Sequence, residues 1–137
     1  MAISRNNFVL IDTCIWVGFF NRQTSRERVT VDSLLDEDRA AITGIILAEI
    51  LQGFRRDEQA DWVASSLRGL HDLEATWDDW RTAAKLGRQL AAIGHRLPLT
   101  DLVISAIALR SDCAIITTDS HFDLIADLKR YPLALCS

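Results

Sequence analysis

The 137-residue chain is 49% apolar and 25% charged, without repeats or low-complexity tracts, which suits one packed domain over residues 1–137 and excludes a disordered or solenoid chain. Its net charge of −4 excludes a global basic field for nucleic acid, so a polyanion would have to be met by local positive charge. The apolar run from Phe8 to Phe20 is broken by Asp12 and lacks a basic lead and a small-residue cleavage site. It is too short to span a bilayer, so a cytoplasmic protein with no membrane partner is expected.

Along the chain, strands alternate with helices. Phe8 to Ile11 is wholly apolar, as in a parallel strand covered on both faces. A helix follows Thr13, with Ile15, Trp16, Phe19 and Phe20 as its apolar positions. Ser25 is placed to cap a second helix that ends near Glu37. Ala40 to Ile42 reads as the next strand, and Thr43 as the cap of a helix striped by Ile46, Leu47, Ile50, Leu51 and Phe54. Ala60, Val63, Leu67 and Leu70 recur at helical spacing, and Trp77, Trp80, Ala84, Gly87 and Ala91 mark a further helix. Pro98 interrupts the chain before Thr100, the expected cap of "DLVISAIAL". The last core strand is Ala114 to Thr117, and "YPLALC" is expected to add an edge strand, Pro132 being a poor fit to a central one. This alternation predicts an α/β fold, a central parallel sheet with helices on both faces.

Cys14, Cys113 and Cys136 are odd in number and widely spaced; they are expected to be buried free thiols rather than a disulfide framework or zinc site. The arginines at positions 22, 26, 28, 55 and 56 read as solvated helix faces.

In a parallel sheet, ligands bind beyond the carboxyl ends of the strands. Asp12 and Asp119 each sit just past the carboxyl end of an apolar strand, so the fold should bring them to one rim. Glu49 has Ile45, Ile46, Gln52 and Gly53 as its one-turn neighbours, and Asp101 opens a helix above the small residues Ser105 and Ala108. Four carboxylates gathered without a lysine or arginine would repel one another unless a cation intervened. Oxygen-only ligands favour a hard ion, Mg²⁺ with Mn²⁺ as a substitute, and such an ion suits phosphodiester chemistry.

The segments "LIDTCIWVGFF", "ITGIILAEILQGF", "LPLTDLVISAIAL" and "AIITTDSHFD" together resemble the PIN-domain ribonucleases, in particular the VapC-type toxins of bacterial toxin–antitoxin pairs. The resemblance covers most of the chain as far as residue 123, and the D…E…D…T-x-D series is its specific part. It implies a three-layer α/β/α fold, metal-binding acids at Asp12, Glu49, Asp101 and Asp119, and site hydroxyls at Thr13 and Thr117. It also implies a metal-dependent endoribonuclease acting on RNA, homodimerisation through early helices, and inhibition by a small antitoxin encoded alongside. Apolar residues around the acids, Trp16, Phe19, Phe20 and Phe54, are the expected seat of that antitoxin.

One position departs from the pattern. Many relatives carry an acid two residues after the fourth, where this chain has His121; the imidazole can bind phosphate, reach the metal through water, or cap the loop. Asp123 is either a replacement acid or a solvated loop residue. Two other functions fit a parallel sheet with rim acids. A receiver-like module would accept a phosphoryl group, but receivers carry adjacent acids after the first strand and a lysine after the last, whereas Asp12 precedes Thr13 and no lysine lies between Lys85 and Lys129. A catalytically silent PIN-like binding module is the other.

Overall fold

The computed structural model describes residues 7–21 and 25–134; Arg22, Cys136 and the end of "YPLALC" lie outside the described residues. The elements run β1 (Val9–Ile11), α1 (Thr13–Asn21), α2 (Arg26–Asp36), β2 (Ala40–Ile42), α3 (Gly44–Gln52), α4 (Asp57–Leu67), β3 (His71–Asp72), α5 (Trp77–Ala92), α6 (Leu99–Ser111) and β4 (Ala114–Ile116). The sheet order is β3-β2-β1-β4, every neighbouring pair parallel. Every residue of β1 and β2 is buried, as apolar strands covered by helices on both faces require. The result is the expected three-layer α/β/α arrangement.

Register places the functional ends of the two central strands side by side. Val9, Leu10 and Ile11 face Ala114, Ile115 and Ile116, and the ladder continues one step further as Asp12 N–H donates to the Ile116 carbonyl at 3.0 Å. Because parallel strands advance together, the residues after them, Asp12 and Thr117, emerge at the same rim.

Several helix ends follow the expected chemistry. Ser25 caps α2 by accepting the Arg28 N–H at 3.1 Å, which satisfies one of the free amides of a first turn. Thr43 does occupy the cap position of α3, though its side chain makes no capping bond. Ile46 and Ile50 of the α3 stripe are buried, with Leu47, Leu51 and Phe54 packed against the same core.

Elsewhere the expectation fails for physical reasons. Helix α6 begins at Leu99 with Pro98 as its cap, so Thr100 lies inside the first turn; proline's fixed φ serves a helix start. The helix marked by Trp77, Trp80, Ala84, Gly87 and Ala91 forms as α5, but Trp77 is 79% and Trp80 49% exposed. The buried face carries Asp79, Ala83 and Leu90, and α5 lies so close to α6 that a Cβ on Gly87 would sit 3.1 Å from Leu102 Cδ1. Small residues, not aromatic ones, fit this contact.

Strand β3 was not read from the sequence at all: two polar residues carry no apolar signal. Backbone pairing makes it, with Ala41 and Ile42 opposite His71 and Asp72 and the His71 ring stacked on Phe8 at 4.1 Å. The C-terminal edge forms earlier than expected. Tyr131 N–H donates to the Ile115 carbonyl and Ile115 N–H to the Lys129 carbonyl, both at 2.9 Å, whereas residues 131–134 form no strand. Cys113 is buried as a free thiol, its pKa pushed up to about 11 by desolvation. Cys14, contrary to expectation, is exposed.

Candidate metal centre

Asp12 closes β1 and opens α1. Its carbonyl accepts the Ile15 and Trp16 amides at 3.1 and 3.3 Å, and its Oδ1 accepts the Thr13 N–H at 2.8 Å. Across the rim, Thr117 Oγ1 donates to Asp12 Oδ2 at 2.7 Å and accepts the Asp119 N–H at 3.0 Å. Thr117 therefore ties the end of β1 to the loop that presents Asp119.

The other two acids come from helices. Thr13 Oγ1 donates to Glu49 Oε1 at 3.0 Å, which draws α3 toward the first turn of α1. Asp101 stands in the first turn of α6, where a carboxylate is favoured by the helix dipole, and is only 8% exposed. Ser105 folds its hydroxyl back onto the Asp101 carbonyl at 2.8 Å. His121 lies in a short 3-10 turn, Ser120–Leu124, capped by Asp119, whose Oδ1 accepts the His121 N–H at 2.9 Å. From there the ring reaches Asp101 Oδ2 with Nδ1 at 2.9 Å and Asp119 Oδ1 at 3.4 Å.

The structure thus gathers Asp12, Glu49, Asp101, Asp119, Thr13 and Thr117 at one rim. Among the described residues no lysine or arginine forms an ion pair with any of the four acids. The electrostatic cost is visible. Burial raises the Glu49 pKa, and the charges of Asp12 and Asp101 raise it further, outweighing the bond from Thr13. Burial likewise raises Asp101, with Asp119 and Asp12 adding to it against the bond from His121. The His121 pKa is raised by its bond to Asp101 and by the charge of Asp119. A divalent cation would relieve this repulsion, and the donor set, carboxylates on rigid element ends, fits one. Asp101, Asp119 and His121 offer ligand atoms within 4.8 Å of one another.

Two side chains have roles the sequence did not reveal. Cys14 Sγ lies 3.4 Å from Thr118 Oγ1 and 3.7 Å from Asp12 Oδ2, joining α1 to the Asp119 loop; its place directly after Asp12-Thr13 was the available signal. Asp123, weighed as a replacement acid, instead pairs with Arg130, whose Nη2 also donates to the Thr117 carbonyl at 3.4 Å. The apolar seat expected around the acids needs correction too. Trp16 is fully buried and offers no surface to a partner, while Phe20 and Phe54 line a groove with Trp62 and Val63.

A parallel α/β sheet binds its ligands beyond the carboxyl ends of its strands, and the carboxylate cluster lies at that rim. The PIN domain profile matches residues 9–128, and the chain belongs to the PIN-domain family, among its VapC ribonucleases. Ribonuclease VapC11 of Mycobacterium tuberculosis and a VapC ribonuclease of Mycobacterium bovis are each 34% identical to it over 130 residues, covering 92% of this chain and 97% of theirs. The fold matches that of VapBC2 from Rickettsia felis, a structure bound to a DNA fragment from its promoter, with a TM-score of 0.79 at 21% identity over 93% of this chain and 99% of that one. This membership sets aside the receiver-like alternative.

Proposed function

We propose that the chain, read as one PIN domain over residues 1–137, is the toxin of a toxin–antitoxin pair and a Mg²⁺-dependent endoribonuclease of the cytoplasm, with Mn²⁺ as a substitute ion. Asp12, Glu49, Asp101 and Asp119 would hold the ion, which supplies positive charge and lowers the pKa of a water beside the scissile phosphate. The chain's own residues set the geometry. Thr117 and the Thr13 amide fix the two oxygens of Asp12, Thr13 Oγ1 fixes Glu49, and His121 holds Asp101. Such partners keep ligand carboxylates in one orientation.

The observation that carries this reading is the convergence of four carboxylates from four separate segments with no lysine or arginine among the described residues in an ion pair with them. Two further points support the assignment or its partners. The relatives are ribonucleases by name. Two solved neighbours, from Klebsiella pneumoniae and Mycobacterium tuberculosis, are described as belonging to toxin–antitoxin systems, so a small cognate antitoxin is the natural partner. No helix among the described residues is long and apolar enough to cross a membrane. Homodimerisation belongs to the same reading.

The test is cleavage of a mixed structured RNA pool with Mg²⁺ or Mn²⁺, with and without chelator, alongside Asp12→Ala. Cleavage should require the ion and disappear in the variant. Activity that persists in chelator, or that Asp12→Ala retains, defeats the proposal, and an inert wild-type protein would favour the silent binding module.

A further inference from the structure

In this chain an imidazole nitrogen sits directly against two of the carboxylates, at a spacing that suits adjacent ligands of one ion as well as a hydrogen bond. Nδ1 of His121 is 2.9 Å from Asp101 Oδ2 and 3.4 Å from Asp119 Oδ1. Neighbouring ligands on an octahedron with bonds of about 2.1 Å stand roughly 3 Å apart. We infer that Asp101, Asp119 and His121 Nδ1 form a mixed oxygen and nitrogen cation subsite, so that this centre selects a first-row transition ion, Mn²⁺ or Co²⁺, over Mg²⁺. The inference rests on the reading above that the acid cluster holds a divalent ion, and changes which ion it holds best.

Three features make the nitrogen a ligand in waiting. The ring is positioned from its own backbone, because Asp119 Oδ1 accepts the His121 amide, so Nδ1 faces the carboxylates without any loop rearrangement. Asp101, the least exposed of the three, stands in the first turn of α6. Asp123, the remaining acid of the loop, is taken by Arg130 and leaves the position to His121. An ion bound at Nδ1 takes its lone pair, so any proton carried there leaves to solvent. An imidazole donor adds little for Mg²⁺, a hard oxygen-seeking ion, and progressively more along Mn²⁺ and Co²⁺.

The bland alternative is that His121 merely latches the loop to Asp101, and the experiment separates the two. Mn²⁺ is added to the metal-free protein and its pulsed EPR recorded, with histidine labelled with ¹⁵N in a parallel sample. The other two histidines, His71 and His95, are replaced by asparagine in a control so that any imidazole coupling belongs to His121. Directly coordinated nitrogen modulation is expected in wild type and in the control, and its absence there overturns the inference without recourse to a His121 variant. Titrations with Mg²⁺, Mn²⁺ and Co²⁺ provide the second arm. His121→Asp should lose about tenfold or more in its preference for Mn²⁺ over Mg²⁺, the scale on which disturbed ligands alter affinity. Equal preference in wild type and His121→Asp, with Mn²⁺ bound and RNA still cut, also overturns the inference while leaving the metal nuclease standing. No Mn²⁺ bound to wild type, together with cleavage indifferent to chelator, overturns both.

Discussion

At the scale of single residues, the acids are held where they are least comfortable. Glu49 and Asp101 have raised pKa values because they are buried among like charges, so their ionised forms destabilise the metal-free fold. The sign follows from linkage. A carboxyl whose folded pKa lies above its unfolded value, about 3.9 for Asp and 4.3 for Glu, favours the fold below the unfolded value, and this contribution is lost as pH rises through the folded one. Asp101→Asn should therefore abolish RNA cleavage while leaving the metal-free melting temperature unchanged or higher, an effect within about 1 kcal/mol. A variant that cuts RNA at the wild-type rate would remove Asp101 from the centre. For the same reason cleavage should fade in mild acid, as Glu49 and Asp101 take up protons, and recover toward alkaline pH. A flat pH profile would show that neither carboxylate has to be ionised.

At the scale of elements, α5 and α6 are joined by one buried charge. Asp79 is 1% exposed, completes a capping box with Thr76, and receives Arg110 Nε at 2.9 Å. Burial alone would raise its pKa, but the bonds from Arg110 and Thr76 outweigh burial and hold it below the usual range. Its stabilisation is accordingly present above the unfolded value of about 3.9 and is lost as pH falls through the lower folded one. Asp79→Ala, which loses both the cap and the charged bond, should cost about 2–4 kcal/mol, read as a lower urea midpoint at neutral pH. The deficit should narrow in strong acid, and an equal deficit at both pH values would deny the ion pair its role.

This element also shows where the sequence was legible. The strand ends announced Asp12 and Asp119 because apolar runs stop abruptly there, and parallel topology alone then predicts their meeting. Helix α5 was legible as a helix but not in its orientation. The residues that mark it, Trp77, Trp80, Ala84, Gly87 and Ala91, include Gly87 of the close approach to α6 but miss the buried Asp79, Ala83 and Leu90. An aspartate on the buried face is invisible until its partner Arg110, 31 residues away, is placed beside it. His121 and Cys14 were unreadable for a related reason: which way a loop or first-turn side chain points depends on contacts across the rim.

For the molecule as a whole, the groove lined by Phe20, Phe54 and Trp62 includes none of the four acids. Trp62 is 67% exposed, and large exposed aromatics are the side chains that commonly dominate a protein interface. If the antitoxin seats here, Trp62→Ala should weaken its binding by about thirtyfold, roughly 2 kcal/mol, while RNA cleavage by the isolated toxin stays at the wild-type rate. Calorimetry against the cognate antitoxin reads the first and the RNA assay the second. Unchanged affinity would move the interface to another face.

The bond between Thr117 and Asp12 spans 105 positions of the chain, and this separation has a consequence for the protein's birth. Translation runs from the N-terminus, so every residue of the groove from Phe20 to Val63 has been made before Asp101, Thr117 or Asp119 exists. A chain still being extended on the ribosome already contains the groove residues yet lacks half of its acids and the strand that aligns Asp12. The four-acid rim therefore cannot be assembled until Asp119 has been made.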